Sequence, residues 1–290
     1  MKKLLITGAS GFLGYNICQR AKSGWDVYGT FFTHRLEIPQ VKLVRTDLTR
    51  FQETKRMFQE ILPDAVIHAA AAAKPDDCQQ HPTPSSKMNV TASAEISGLC
   101  SDYNIPLVFT SSDLVFNGLN PPYSETDVPS PICVYGEQKV QAEQEMKRRY
   151  PNTVICRMAL MFGKPAPTSS GMLQNMIQSM RSNCGASLFT DEFRTPLSVQ
   201  DASEGLLKAL KKRPGMLHLG GSERISRFDF GRRVANILRI DDAKIKPCLQ
   251  KDLKLPAPRS PDVSLDISKA RSLGFKPQSL ESALSAIKSL

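Results

Sequence analysis

Lys3-Leu4-Leu5-Ile6-Thr7-Gly8-Ala9-Ser10-Gly11-Phe12-Leu13-Gly14 opens the chain with an apolar run that ends on glycines spaced three apart. A short apolar run reads as a buried strand, and the glycines permit a sharp turn into a helix. Free N–H groups at the start of that helix favour a negative ligand, and missing side chains let a pyrophosphate come close to the backbone. Gly8, Gly11, Phe12, Leu13 and Gly14 are therefore candidate contacts to a dinucleotide. The opening MKKLLITG imitates an export signal, but its apolar stretch is cut too early, so a strand of a cytoplasmic protein is expected.

Outward from this turn, apolar runs at 3–7, 26–31, 42–46, 65–69, 106–110 and 153–157 alternate with helical-period segments at 11–23, 50–61, 86–104 and 134–149. That rhythm predicts an α/β fold, a doubly wound parallel sheet of the Rossmann type, over residues 1–163. In residues 164–290 prolines break the rhythm, and a smaller C-terminal substrate-binding region is expected there, partly interleaved with the first.

Composition narrows the class. Of 290 residues, 41% are hydrophobic and 23% charged, which suits a globular chain and excludes disorder. The seven cysteines form no C-x-x-C pair and no His-rich cluster accompanies them, so neither a disulfide framework nor a metal site is expected. The net charge of +10 raises a nucleic-acid partner. Its basic runs, Lys147-Arg148-Arg149, Lys211-Lys212-Arg213 and Arg232-Arg233, are scattered and lack interleaved aromatics, so solvated helix faces are expected and no nucleic acid. No stretch approaches the ~18 apolar residues of a membrane span, and no membrane partner is expected.

NAD-selective Rossmann proteins place an acid near the end of the second strand, against the ribose hydroxyls. Gly29-Thr30-Phe31-Phe32-Thr33-His34-Arg35 offers none. His34 and Arg35 suit a 2′-phosphate instead, so NADP(H) is expected over NAD(H), the alternative being that both are ordinary loop residues.

Tyr135 and Lys139 stand four apart, on one face of a predicted helix. A phenol titrates near ~10 and needs a fixed cation to act near neutrality. Such pairs alone usually decorate a helix surface. Ser112, just past a predicted strand, could direct its hydroxyl to a substrate carbonyl, and could equally cap a turn.

These residues, with Asp47-Leu48, His68-Ala69-Ala70-Ala71, Asn89 and Pro131, resemble the extended short-chain dehydrogenase/reductases in order and spacing across almost the whole chain. Within them, Ser112-Asp113-Leu114-Val115-Phe116-Asn117-Gly118, Pro122-Tyr123-Ser124-Glu125 and Pro258-Arg259-Ser260-Pro261-Asp262 resemble dTDP-4-dehydrorhamnose reductases. Lys74-Pro75-Asp76 and Phe193-Arg194-Thr195-Pro196 resemble the regulatory β subunit of methionine adenosyltransferase as closely.

The resemblance implies Tyr135 as proton donor, Lys139 as its activator and a ligand of the nicotinamide ribose, and Ser112 as the hydroxyl that orients the carbonyl. It implies Asp47 and Leu48 beside the adenine, Ala69, Ala70 and Ala71 along the cofactor, and Asn89 on the proton-relay side. Lys74, Asp113, Arg194 and Arg259 are candidate contacts to a nucleotide-sugar substrate. Leu114 stands where rhamnose-forming reductases carry tyrosine and dehydratases glutamate, and Ala72 where the reductases carry an aromatic. The leading expectation is an NADPH-dependent reductase of a nucleotide-linked 4-ketosugar. An NADP-binding regulatory subunit and an epimerase are the alternatives, and a homodimer is left open.

Overall fold

The computed structural model describes residues 1–212, 215–240 and 243–288. Arg213 of the second basic run and Pro214 lie outside them. β1 (Lys3–Thr7) has four of its five residues buried, and Gly11 caps the start of α1 (Phe12–Ala21). β2 (Asp26–Phe31), β3 (Val41–Arg45), α2 (Phe51–Ile61) and β4 (Ala65–His68) follow. Thr54, Met57, Phe58 and Ile61 make the single buried stripe of α2, the spacing expected of a helix lying on a sheet.

The helix expected over 86–104 is interrupted. After α3 (Pro75–Gln80) and α4 (Pro82–Ser86), residues Lys87–Thr91 form a π-turn that leads into α5 (Ala92–Asp102). Asn89 gives the reason, since its side chain bonds the main chain of Ala72 from both ends: Oδ1 accepts from Ala72 N at 2.8 Å and Nδ2 donates to Ala72 O at 3.0 Å. β5 (Leu107–Ser112) is buried throughout and runs two residues beyond the expected end. α6 (Val134–Arg149) and β6 (Val154–Met158) complete this half.

Beyond it come β7 (Met161–Phe162), α7 (Met172–Arg181), β8 (Ala186–Phe189), β9 (Phe193–Arg194), β10 (Leu197–Ser198) and α8 (Val199–Ala209). β11 (Gly215–Leu219), β12 (Ile225–Ser226), α9 (Arg227–Ile237), β13 (Ile245–Cys248), α10 (Ser268–Ser272) and α11 (Leu280–Lys288) follow.

The main sheet has seven strands in the order β11-β6-β5-β4-β1-β2-β3, all paired in parallel. Six were expected. The seventh, β11, arrives from beyond residue 163, and α8 packs on α1, so the later residues contribute to the main sheet and its cover. Pairs β7/β10, β8/β13 and β9/β12 form small sheets outside it, around a separate apolar cluster of Phe162, Leu173, Met176, Met180, Phe230 and Leu284.

Strand order reverses between β1 and β4, where a doubly wound sheet opens a crevice at its carboxyl ends. Gly8 sits there with φ +74°, and a Cβ on it would fall 2.8 Å from Ala70 Cα. Gly14 is equally constrained, because a Cβ would overlap the Gly8 carbonyl oxygen. Gly11 faces open space apart from that same oxygen at 3.3 Å. Gly8 thus serves the close approach of the turn to Ala70, Gly14 the close seating of α1, and Gly11 leaves the crevice clear. Gly14→Ala is expected to lose at least about 2 kcal/mol of stability by overpacking. Gly11→Ala should lose under about 1 kcal/mol, and urea denaturation without added nucleotide compares them.

Candidate functional site

Two cavities meet at Tyr135. One, of about 600 Å³, is lined by the glycine turn, Thr30, Thr33, His34, Asp47, Leu48, the alanines 69–73, Tyr135 and Lys139. The other, of about 480 Å³, is lined by Ser112, Asp113, Leu114, Tyr135, Glu192, Arg194, Arg227 and Arg259. Ala73, Ser111, Tyr135, Met158 and Met161 line both.

The first cleft rests on a buried chain of hydrogen bonds. Thr7 Oγ1 accepts from the N–H groups of Ala69 and Ala70, each at 3.1 Å, so its own proton goes to His68 Nδ1 at 2.7 Å. Ser93 Oγ gives its proton to Asn89 O at 2.7 Å, so His68 Nε2, 2.9 Å away, carries the hydrogen it shares with Ser93. The imidazole is held as one neutral tautomer, and burial first, then the Lys139 charge, pushes its pKa down to about 3. Gly8 N donates to Thr30 Oγ1 at 3.0 Å, tying the turn to β2.

Of the expected cofactor contacts, Gly8, Gly11, Phe12, Leu13, Gly14, His34, Asp47, Leu48, Ala69, Ala70, Ala71, Tyr135 and Lys139 line this cleft together. Two do not. Arg35 lines a separate depression with Leu36, Ile38 and Arg45, because Leu36 and Ile38 turn inward and the alternation sends Arg35 out. Asn89 is fully buried behind the alanines, where it also donates to Gln138 Oε1 at 2.8 Å.

Helix α6 brings Tyr135, Lys139 and Glu143 to one buried face at four-residue spacing. Gly136 makes the approach possible, since a Cβ there would overlap the Leu114 carbonyl oxygen. Lys139 Nζ donates to Thr110 O at 2.9 Å and lies 4.6 Å from the centre of the Phe109 ring. Burial lowers its pKa to about 8, with Glu143 acting in the opposite sense. Tyr135 runs against the expectation of a lowered phenol pKa. Burial raises it, the Asp113 charge adds to that, and the hydroxyl of Ser112 opposes both without overcoming them.

Glu143 is the residue that the helical spacing offered and the sequence reading passed over. It takes Arg157 in a two-pronged pair, at 3.0 and 2.8 Å, and accepts from Ser111 Oγ at 2.5 Å. Both side chains of the pair are nearly inaccessible, at 3% and 6% exposure. Ser111 is thereby engaged, whereas Ser112 caps the short helical turn Asp113–Val115 and donates to Asp113 Oδ1 at 3.1 Å. Burial raises the Asp113 carboxyl to about 6 against the pull of Arg194, and its Oδ2 is buried without a hydrogen-bond partner.

Arg194 and Arg259 come from separate segments to the second cavity, as their expected role requires. Each is engaged there, Arg194 with Glu192 and main-chain carbonyls, Arg259 with both oxygens of Asp76. Lys74 is further out, in an adjoining depression beside Asp77 at 3.7 Å. Glu192 and Arg227 were not expected from the sequence.

A model of the RmlD substrate binding domain matches residues 1–289. The chain belongs to the RmlD substrate binding domain family. Both resemblances read in the sequence recur among its relatives. Methionine adenosyltransferase 2 subunit beta of Rattus norvegicus is 26% identical over 94% of this chain and 83% of its own length. The probable low-salt glycan biosynthesis reductase Agl14 of Haloferax volcanii is 28% identical over 97% of this chain and 96% of its own. A dTDP-4-dehydrorhamnose reductase of Bacillus anthracis, solved in complex with NADP, superposes on this RmlD-family fold with a TM-score of 0.88 at 23% identity, over 99% of each chain. Among the described residues no helix is long and apolar enough to cross a membrane.

Breaking the buried pair strands a charge. Glu143→Ala is expected to lose about 3–5 kcal/mol, against about 1 kcal/mol or less for Glu204→Ala, which breaks exposed pairs with Arg20 and Lys208. Chemical denaturation of the two variants measures the contrast.

Proposed function

We propose that this chain is an NADPH-dependent reductase of a nucleotide-linked 4-ketosugar, similar to dTDP-4-dehydrorhamnose reductases. One observation carries the reading: Tyr135 is a wall of both cavities, so a group bound along the glycine turn and a group bound beside Ser112 meet at its hydroxyl. The first cleft fits a dinucleotide by its open backbone at Gly11, its run of alanines and the ammonium of Lys139 at its inner end.

Gly8, Gly11, Phe12, Leu13 and Gly14 would hold the pyrophosphate, Asp47 and Leu48 the adenine, and Lys139 the nicotinamide ribose. His34 supports a 2′-phosphate, and the Asp47 carboxylate is already bonded by Thr49 and paired with Arg50. When bound, the nicotinamide supplies a hydride to the carbonyl carbon. Ser112 donates to the carbonyl oxygen in place of Asp113. Tyr135, kept protonated by burial, transfers its phenolic proton to that oxygen, and the ammonium of Lys139 stabilises the phenolate left behind. Asp113, Arg194 and Arg259 border the sugar-nucleotide, with Lys74 nearer the mouth.

The likeness to the methionine adenosyltransferase β subunit supports a second reading, an NADP-binding regulatory subunit with little turnover. An NADPH-consumption assay over a panel of nucleotide-linked 4-ketosugars separates them: turnover is expected, and a cofactor-bound chain that leaves every ketosugar unchanged favours the regulator. Calorimetry should find NADPH bound more tightly than NADH, and equal affinities would remove the NADP preference.

Tyr135→Phe should cut reduction by at least about 10²-fold while keeping cofactor affinity, because the ring stays and the proton goes. Lys139 carries its proton below a pKa of about 8 and loses it as pH rises through that value. Reduction should therefore fall on the alkaline side of about 8, and Lys139→Met should be slow at every pH and lack this limb. A pH–rate profile of both proteins checks it.

A further inference from the structure

Three guanidiniums line the second cavity, and they are not equally occupied. Arg194 gives Nη1 to the carbonyls of Phe193 and Ser260, at 2.6 and 3.1 Å, and approaches Glu192 through Nη2 at 3.3 Å. Arg259 holds both carboxylate oxygens of Asp76, at 3.0 and 2.8 Å. Arg227 has one distant ion partner, Glu192 Oε1 at 3.7 Å from its Nε, and that oxygen is the one Arg194 approaches. Its Nη1 is buried and has no acceptor.

Folding alone disfavours a cation at this position. Arg227 is the first residue of α9, an 11-residue helix whose amino end carries partial positive charge. Burial lowers its pKa, and the neighbouring charges of Arg194 and Arg259 act in the same direction, against the single pull of Glu192. The backbone is fixed as well, for Arg227 N donates to Glu192 O at 2.9 Å and Ser226 caps the helix through Asp229 N. Departures from local rules of stability concentrate at functional sites, and Arg227 differs from the buried Arg157 in lining a cavity and lacking a close carboxylate.

The cavity has a second unused group. Asp113 Oδ2, on the wall that includes Ser112 and Tyr135, is buried without a donor. Arg227 and Arg259 instead line the wall shared with the adjoining depression of α7 and β8. An unused donor and an unused acceptor on different walls match a ligand that is anionic at one end and hydroxylated at the other.

We propose that Arg227 is the residue that reads the anionic part of the substrate, its guanidinium, partly exposed to the cavity, donating to a phosphate oxygen of a nucleoside diphosphate group. Arg194 is then a clamp that holds the loop at Ser260 in place, and Arg259 stays with Asp76. This assignment rests on the nucleotide-sugar reading above and names the group that recognises it.

The test is calorimetric titration of dTDP and UDP into the full chain saturated with NADP, which keeps the probes out of the first cleft. Wild-type protein is expected to bind at least one of them. Arg227→Met should bind it at least tenfold more weakly while its melting temperature without the probe stays level or rises, because an unsatisfied cation has been removed. A structural cation would behave in the opposite way. Arg227→Lys keeps the charge without the planar fork, and with unchanged melting temperature and NADP affinity it should still lose at least threefold; this variant decides the matter where the methionine variant is unstable. Wild-type affinity in either folded variant overturns the assignment, as does loss confined to Arg259→Met. A wild-type chain that binds neither dTDP nor UDP overturns the nucleotide-sugar reading and this assignment with it.

Discussion

The pair between Glu143 and Arg157 anchors the reactive end of the molecule. It joins the middle of α6 to β6, and through Ser111 to the end of β5, so one carboxylate holds three elements in register. Lys139 and Tyr135 stand one and two turns earlier on the same helix face. Their positions are consequences of where Glu143 is held, and the contact at Gly136 presses that helix against the turn that carries Ser112. A buried ion pair is weak evidence for stability in general, because desolvation offsets its attraction. Here its geometric service is plain: it sets the angle at which a phenol enters the crevice.

A second polar construction lies behind the first cleft. Thr7, His68, Ser93 and Asn89 pass hydrogen bonds in one direction, and every member has its proton assigned by its neighbour. The chain connects the end of β1, the end of β4 and the π-turn before α5, three pieces whose backbone forms the cleft wall. Fully satisfied networks of this kind rigidify a core, whereas half-satisfied ones are costly. The second cavity contrasts with it, since two of its lining side chains, Asp113 and Arg227, each carry a buried polar atom without a hydrogen-bond partner.

How much of this the sequence disclosed depended on range. The glycine turn, the rhythm of strands and the spacing of Tyr135 and Lys139 are local patterns with local causes, and they were legible. Glu143 was within reach of the same argument, one further turn along the helix, and Arg157, a lone charge in the apolar run of β6, was its signal. Arg35 was misplaced because its chemistry was weighed ahead of the alternation of Leu36 and Ile38. Asn89 could not be placed from spacing, because the π-turn exists for a main-chain partner 17 residues away. β11 was hidden by His218, a polar residue buried inside a strand no longer than those that were read. Arg227 was readable only as an anomaly, a cation opening a helix.

The course of β11 bears on how the chain is made. β6 pairs with β5 on one side as soon as both exist, but its other edge waits for residues 215–219. During synthesis everything from β7 to α8 must emerge before that edge is covered. An unpaired strand edge is a template for another chain, and parallel partners far apart in sequence join slowly. The nascent protein therefore carries an adhesive edge next to its reactive helix for the time it takes to make that intervening stretch.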